Sequence, residues 1–219
     1  GVGGQINIGG TVYTVTGVTN APVDPGCASP PDLRLLRVDK HLPGRESLYN
    51  GTYPSDPKAK TIMIGYGYSG YAAGSYYTID TSTPRVKRWG TNAVDYSLRR
   101  PDPDRVYSSM TILMYYNRDD PVTEPDTEFE AGYATYDSGG GTFVKVNDRW
   151  RLAGINAYVG YDVPGKYNRS YAIDVSYYYR WITTAVTVAG DTDFDLDVDY
   201  ADYQALEAGF GPVSYTHLR

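Results

Sequence analysis

The sequence contains one cysteine, two histidines and no long hydrophobic run. With Cys27 alone, no intrachain disulfide can form, so the disulfide framework of many small extracellular domains is excluded. No stretch of about 18 apolar residues is present to form a membrane helix. No signal peptide is present either, and a targeting segment would lie upstream of Gly1.

Outside one segment, the sequence has almost no excess of one sign of charge over the other. Residues 190–211 hold seven acidic side chains and no basic one, whereas the other 197 residues carry 20 basic against 19 acidic side chains. No basic patch forms an electrostatic footprint for phosphate, so a nucleic-acid partner is not expected.

The composition favours short strands separated by turns. The 219 residues include 24 Gly, 14 Pro and 24 Tyr, with short β-branched and aromatic runs between them. We therefore predict an all-β body. The predicted strands lie within residues 5–18, 33–38 (buried), 61–64 and 110–116. A further pair of strands, 142–146 and 150–158, is joined by an Asn147-Asp148 turn. The predicted loops are 98–105 and 118–128, and the one predicted helix of the body is 177–184.

A glycine-rich turn carries the first chemical motif. Asp137-Ser138-Gly139-Gly140-Gly141 precedes a predicted strand, and such a turn can expose the hydroxyl of Ser138. A serine attacks a carbonyl carbon when a base removes its proton and preorganised N–H groups hold the developing oxyanion. By itself, the same run is more often a flexible turn.

Four segments in one order resemble the trypsin-like serine protease family. Residues 137–141 resemble its Gly-Asp-Ser-Gly-Gly-Pro signature, and residues 32–38 resemble its Asp-Ile-Ala-Leu-Leu-Arg segment. Residues 150–155 resemble the strand after the nucleophile. Residues 171–175, followed by Trp181-Ile182, resemble the closing strand and the C-terminal helix. The resemblance covers roughly residues 5–185, and its specificity lies in the order of the set.

The resemblance implies a fold and a set of roles. The fold would be a chymotrypsin-like double antiparallel Greek-key β-barrel, the first barrel incomplete, with a C-terminal helix. Ser138 would be the nucleophile and Asp32 would orient a histidine. The backbone N–H groups of Tyr136 and Ser138 would form the oxyanion hole, although Tyr136 replaces the first glycine of the signature. Gly132 would form the base of the specificity pocket, with Tyr158 and Val159 along its wall. Because Gly132 is not acidic, we expect no preference for Arg or Lys.

The catalytic histidine of the family pattern is missing from this chain. It would precede Asp32, and the only histidines, His41 and His217, both follow it. We therefore expect an N-terminally truncated fragment that is inactive by itself. An alternative is a catalytically inactive homologue that acts as a secreted binding or adhesion module. A weaker third possibility is a structural extracellular β protein whose Asp-Ser-Gly-Gly turn is accidental.

A second motif lies in the acidic segment. Aspartates occupy positions 1, 3, 5, 7, 9 and 12 of a loop that follows Gly190, which is the ligand spacing of a calcium loop: Asp191, Asp193, Asp195, Asp197, Asp199 and Asp202. With the helix predicted after it, this loop resembles one dockerin half-repeat. The resemblance implies bound Ca²⁺. Leu196 stands where such loops usually need glycine, which would weaken binding.

Together these motifs predict three parts of the chain. Residues 1–187 would be the protease domain, 188–211 the calcium loop and helix, and 212–219 a non-native tail. The expected partners are a protein or peptide substrate and a cohesin-like or cell-surface docking partner. The expected location is secreted or at the cell surface, with no cofactor for catalysis.

Overall fold

The computed structural model describes residues 1–44, 46–54, 58–101, 107–117 and 127–186, together with Tyr200 and Gln204. The protein is mostly β, with antiparallel sheets, one strongly curled half-barrel and one helix towards the C-terminal end. The chain divides into two compact units, Gly1–Tyr179 and Arg180–Arg219. Both sheets belong to the first unit.

The described part of the chain contains twelve strands and one helix longer than a single turn. They are β1 (Gln5–Ile8), β2 (Thr11–Asn20), β3 (Arg34–Val38), β4 (Lys60–Gly65), β5 (Ser69–Ala72), β6 (Tyr77–Asp80), β7 (Arg88–Ala93), β8 (Tyr96–Pro101), β9 (Ser108–Tyr115), β10 (Gly141–Val146), β11 (Arg149–Val163), β12 (Lys166–Asp174) and α1 (Val175–Val186).

The first sheet is a three-stranded meander. β2 pairs antiparallel with β1 on one side and with β3 on the other. The strands predicted within residues 5–18 are therefore confirmed as β1 and β2, joined by a turn at Gly9-Gly10 where both glycines have positive φ. Tyr13 and Val15 of β2 are buried, whereas Val12 is exposed, which is the alternation of a sheet with one covered face.

The second sheet is larger and curls strongly. Its antiparallel pairing path runs β8-β9-β12-β11-β10-β4-β7, and β6 adds to the edge of β12 at Tyr167. β5 and β6 form a hairpin at this edge. The two end strands of the path, β7 and β8, are consecutive in the chain with only Val94 and Asp95 between them. A sheet whose end strands follow each other in this way must bend sharply between them.

The predicted hairpin of β10 and β11 is confirmed. Val146 pairs with Arg149, so its loop has two residues, Asn147 and Asp148. Both have positive φ, +48° and +62°, which defines a type I′ turn. Asn and Asp tolerate this conformation better than other non-glycine residues because their short polar side chains hydrogen-bond locally.

The predicted helix is also confirmed, and Asp174 explains where it begins. The Oδ1 atom of Asp174 accepts hydrogen bonds from the backbone N–H groups of Ser176 (2.9 Å) and Tyr177 (3.3 Å). Asp174 is thus the N-cap, which satisfies backbone donors that the first helical turn leaves unpaired. No helix within the described residues combines the length and hydropathy needed to cross a membrane.

The curled sheet encloses the main apolar core. The last five residues of β12, Ser170–Asp174, are all buried, so side chains on both faces of the strand are covered there. The main cluster consists of Met63, Val94, Ile112, Met114, Tyr133 and Ala172. A second cluster of Tyr49, Val144 and Ala153 packs beside β10 and β11.

The loop between β2 and β3 joins the two sheets. Asp24 is buried and forms an ion pair with Arg99 of β8 (2.6 Å), and it also accepts a hydrogen bond from the hydroxyl of Tyr178 (2.9 Å). Further along the loop, the carbonyl of Pro30 accepts from the N–H of Ser108 (2.9 Å). These contacts hold residues 21–32 against β8 and β9.

Two local sequence predictions are wrong. The strand predicted as buried at residues 33–38 forms as β3 (Arg34–Val38), but Leu36 is 44% exposed, because β3 is an edge strand whose partner in the described structure is β2 alone. Residues 98–101 are not a loop: they belong to β8, where pairing with β9 satisfies their backbone groups. The predicted loop at 118–128 lies mostly outside the described residues.

Candidate nucleophile turn and its pocket

Ser138 lies in the second of two consecutive tight turns that lead into β10. The N–H of Asp137 donates to the carbonyl of Ala134 (3.0 Å), and the N–H of Gly140 donates to the carbonyl of Asp137 (3.0 Å). In each turn the third residue has positive φ, +76° at Tyr136 and +84° at Gly139. A positive φ at this position is the mark of a type II turn. Ser138 is therefore at the first central position of the second turn.

Tyr136 adopts the left-handed backbone conformation in which glycine is normally found. This conformation costs a residue with a side chain about 1–2 kcal/mol. Its exposed ring packs edge-on against Tyr68 (5.4 Å between centroids), and the guanidinium of Arg85 lies over it (4.8 Å). These two contacts offset part of the strain of this backbone conformation.

Asn156 of β11 fastens the turn to the sheet. Its carbonyl accepts from the N–H of Gly139 (2.9 Å), and its N–H donates to the carbonyl of Gly140 (2.8 Å). Its side-chain amide donates to the carbonyl of Ile64 in β4 (3.0 Å) and accepts from the hydroxyl of Thr142 (2.8 Å). One buried residue thus links the turn, β4 and β10.

Asp137 fixes the turn from the other side. Its Oδ1 accepts from the N–H of Gly67 (2.6 Å), and its Oδ2 accepts from the N–H of Ala134 (2.8 Å). A carboxylate bound by two backbone donors is held firmly, since charge-assisted hydrogen bonds are stronger than neutral ones. The backbone on both sides of Ser138 is therefore preorganised.

The turn presents a hydroxyl and two backbone donors. Within the described part of the chain, the N–H groups of Tyr136 and Ser138 donate to no partner. The hydroxyl of Ser138 donates to the carbonyl of Ala157 in β11 (2.8 Å). In this state the serine oxygen is held by a neutral acceptor, which positions it without activating it as a nucleophile.

Asp32 lies in the loop before β3, exposed to solvent. Its N–H donates to the hydroxyl of Ser109 in β9 (2.9 Å). β9 and β11 flank β12 on its two edges, so Asp32 and Ser138 contact strands separated by one strand. Their pairing through a histidine stays a prediction. His41 is exposed just beyond β3.

The predicted specificity residues occupy different surroundings. Gly132 lines a pocket of about 230 Å³, together with Tyr77, Asp137 and residues of β4, β5 and β7. Among the residues that line this pocket, Ser138, Tyr158 and Val159 do not appear. Tyr158 stacks on Tyr171 (4.7 Å between centroids, 22° between planes), and Val159 packs against the main core cluster.

Two buried tyrosines, Tyr77 and Tyr133, form part of the pocket wall. Burial raises the pKa of Tyr77 and of Tyr133 above the ordinary value for tyrosine, so both stay neutral over a wide pH range. The hydroxyl of Tyr77 donates to the carbonyl of Tyr133 (2.7 Å), and the hydroxyl of Tyr133 bonds Thr142 Oγ1. The wall thus carries no charge of its own at these positions.

The predicted calcium ligands at positions 191, 193, 195, 197, 199 and 202 lie outside the described residues, as does His217. Over the described ranges, no group of three His, Cys, Asp or Glu side chains is placed to hold a metal ion. The Ca²⁺ prediction therefore concerns the acidic segment alone.

Sequence reasoning missed two residues that shape this site. Asn156 is the only strongly polar residue in the run Ala153-Gly154-Ile155-Asn156-Ala157, and a buried amide in such a run signals a hydrogen-bonding role. Tyr77 carries no such signal, since it is one of 24 tyrosines and lies far before Gly132 in the chain.

Comparison with known proteins adds no relative. No protein-family model matches the chain, and no curated protein matches it.

Proposed function

We propose that this chain is part of a secreted trypsin-like serine endopeptidase in which Ser138 is the nucleophile. Asp32 would orient a histidine supplied by a segment outside this chain. The reaction would be peptide-bond hydrolysis through an acyl-enzyme: Ser138 Oγ attacks the carbonyl carbon, the histidine accepts its proton, and the leaving amine takes that proton when the bond breaks. Water then releases the acyl group by the same steps.

The strand order of the curled sheet carries this proposal. β4 is the first strand of this sheet along the chain, and it pairs with both β7 and β10. If β7 and β8 are counted as one bent strand, the pairing path therefore closes on itself. With the β5–β6 hairpin left aside, β9 is the third strand along the chain in this count, and it pairs with the last strand, β12. This arrangement agrees with a Greek-key barrel of the kind that the family resemblance implies. The turn of Ser138 enters β10 after β9, as the order of the motifs requires.

The smaller sheet fits the same scheme. β1, β2 and β3 form a meander, and Asp32 closely precedes its last strand. In the proposal this meander is the remaining part of the first barrel. The loop of residues 21–32, held against β8 and β9, would then bring the orienting acid to the junction of the two barrels.

The nucleophile turn carries the backbone donors that would stabilise the oxyanion in such a reaction. The backbone N–H groups of Tyr136 and Ser138 would hold the oxyanion of the tetrahedral intermediate, and Asp137 and Asn156 would keep them in place. Removal of one oxyanion-hole donor by mutation costs about 2.7–4 kcal/mol of transition-state stabilisation. Tyr136, which stands in place of the first glycine of the signature, has the left-handed backbone conformation that glycine adopts readily, and this supports the assignment.

One observation favours an alternative, a catalytically inactive homologue that acts as a binding or adhesion module. The hydroxyl of Ser138 is already engaged with the carbonyl of Ala157. If no histidine faces Ser138 in the full-length protein, this hydrogen bond would be its permanent state. The same turn would then serve as a rigid surface loop.

The acidic segment extends the proposal to a second role. Residues 191–202 would bind Ca²⁺ in a dockerin-like loop, and this module would dock the protein to a cohesin-like partner or to a cell surface. The aspartate spacing alone supports this part.

Labelling of the full-length protein with a fluorophosphonate tests the proposed nucleophile. The probe forms a covalent bond only with a serine activated by a base, and mass spectrometry identifies the labelled peptide. We expect label on Ser138 and its loss in Ser138→Ala, whereas Ser82→Ala, a change at another serine, should retain it.

Each of three results would contradict one part of this proposal. Label that persists in Ser138→Ala would exclude Ser138 as the nucleophile. Absence of label from the full-length protein would favour the inactive homologue. Label on the present chain equal to that on the full-length protein would show that no upstream histidine is needed.

A further inference from the structure

Asn50 and Gly51 lie in the segment of residues 46–54, which follows the first sheet. They are the chain's only Asn-Gly pair, and Asn50 is exposed to solvent. Within the described part of the chain, neither the side-chain amide of Asn50 nor the backbone N–H of Gly51 makes a hydrogen bond. These two groups are therefore available to react with each other.

Both flanks of this pair are held to the large sheet. On one side, the N–H of Tyr49 donates to the carbonyl of Leu152 in β11 (2.8 Å), and the N–H of Leu152 donates to the carbonyl of Ser47 (2.9 Å). On the other side, the hydroxyl of Tyr53 donates to the carbonyl of Ala153 (3.2 Å). The pair thus forms an exposed turn between two anchored points.

An asparagine followed by a glycine carries an intrinsic reaction. The backbone nitrogen of the glycine attacks the side-chain carbonyl carbon of the asparagine, and the new C–N bond closes a cyclic imide. The bond from that carbon to the side-chain nitrogen breaks, and ammonia leaves with the proton that the backbone nitrogen gives up. Water then opens the imide at either of its carbonyl groups, which gives aspartate or isoaspartate. Glycine favours the closure, because it has no side chain to obstruct the attack and its backbone is permissive.

We propose that Asn50 is a site of spontaneous deamidation, and that its isoaspartyl product opens the loop that Tyr49 closes over it. The reaction needs only water and groups that this chain supplies. It involves neither Ser138 nor Asp32, so this inference goes beyond the proposed function and does not depend on it.

The loop around the pair leaves little room for the product. The hydroxyl of Tyr49 donates to the carbonyl of Thr52 (2.6 Å), a hydrogen bond that spans both reacting residues. The Tyr49 ring lies against Gly51, since a Cβ atom built there would be 2.8 Å from the hydroxyl oxygen. Isoaspartate routes the backbone through the former side chain, which adds an atom between the two ends of this hydrogen bond. We therefore expect the hydrogen bond between Tyr49 and Thr52 to break.

Loss of this hydrogen bond affects a buried ring. Tyr49 is 8% exposed and packs with Val144 and Ala153 beside β10 and β11. Its ring also contacts Tyr53 (5.0 Å between centroids). A buried hydroxyl that loses its acceptor destabilises the folded state. Deamidation should thus weaken the packing of residues 46–54 against the sheet as the protein ages.

Incubation of the chain in warm neutral buffer tests the site. Peptide mapping by mass spectrometry should show progressive loss of the amide at Asn50, and a protein isoaspartyl methyltransferase should label the same peptide. Asn147 is the internal comparison: it is also exposed, but Asp148 follows it, so it should react more slowly. Asn50→Gln should remove the label, because the longer side chain closes the ring poorly. An amide at Asn50 that outlasts the one at Asn147, or label that persists in Asn50→Gln, would overturn the proposal.

The melting temperature tests the effect on the loop. Isoaspartyl protein, isolated by chromatography, should have a lower Tm than fresh protein. Asn50→Asp is the matched control, because it adds the negative charge without lengthening the backbone, so its Tm should stay close to that of the wild type. Tyr49→Phe lacks the hydrogen bond to Thr52, so conversion to isoaspartate should lower its Tm by less.

Two results would overturn the proposed opening of the loop. One is an equal Tm for fresh and isoaspartyl protein. The other is a Tm of Asn50→Asp that falls as far as that of the isoaspartyl protein, since charge alone would then account for the change.

Discussion

At the scale of single residues, backbone conformation decides which residue types the nucleophile turn accepts at positions 136 and 139. Tyr136 and Gly139 both have positive φ, yet only one of them is glycine. Tyr136 retains side-chain contacts with Tyr68 and Arg85 that offset its strain. A Cβ atom added to Gly139 would meet no atom of the described residues within 4 Å, so a side chain there would gain no contact to compensate.

Gly139→Ala should therefore lower the free energy of unfolding by about 1–2 kcal/mol, through backbone strain alone. Gly44→Ala is the matched control, since its Cβ is equally free of contacts with the described residues but its φ lies outside the left-handed region. That change should be neutral or stabilise by up to about 1 kcal/mol, because alanine has fewer unfolded conformations. Urea denaturation measures both, and equal effects would disprove the role of φ.

At the scale of elements, the β10–β11 hairpin shows how a two-residue loop sets the register of a strand pair. Asn147 and Asp148 twist the chain in the sense that the flanking strands require. Asp148 also forms an ion pair with Lys145 (2.9 Å), but its side chain is 95% exposed, so that pair contributes little. The turn conformation is the larger contribution.

Asp148→Gly should raise Tm, because glycine is the preferred residue at the second position of a type I′ turn. Asp148→Val should lower Tm, since a β-branched residue resists positive φ. Lys145→Ala removes the ion pair without touching the turn and should change Tm less than either. If Asp148→Gly lowers Tm by as much as Lys145→Ala, the ion pair rather than the turn dominates.

At the scale of the whole molecule, several buried tyrosine hydroxyls make stability depend on high pH. Burial is the main cause of the raised pKa of Tyr53, Tyr77, Tyr133 and Tyr178. Each of these side chains keeps its proton in the folded state to a higher pH than in the unfolded chain. Their contribution to stability is therefore complete below the unfolded value of about 10 and is lost as the pH rises above it.

Unfolding in urea should thus become easier above pH 10, with each such tyrosine removing about 1.4 kcal/mol per pH unit until its folded-state pKa is reached. Tyr53→Phe should make this slope shallower by that amount. Tyr66→Phe removes a hydroxyl from a 60% exposed ring and serves as the control, with the wild-type slope expected. An unchanged slope in Tyr53→Phe would contradict the assignment.

The sequence by itself determined the features that depend on near neighbours. Short β-branched runs predicted most strands, the dipeptide Asn147-Asp148 predicted its hairpin, and the aromatic run after Tyr171 predicted the helix. Each of these signals depends on a few neighbouring residues, because strand propensity and turn formation are set mainly by the local side chains. The serine turn was visible for the same reason.

Only the tertiary structure decided which distant residues meet. It placed Tyr77 against Gly132, tied Asn156 to both β4 and the nucleophile turn, and exposed Leu36 on an edge strand that its apolar sequence predicted to be buried. It also paired residues 98–101 with β9, where the charge and proline content predicted a loop. Such pairings depend on packing and backbone hydrogen bonds between segments far apart in the chain, and no local pattern records which partner a strand will find.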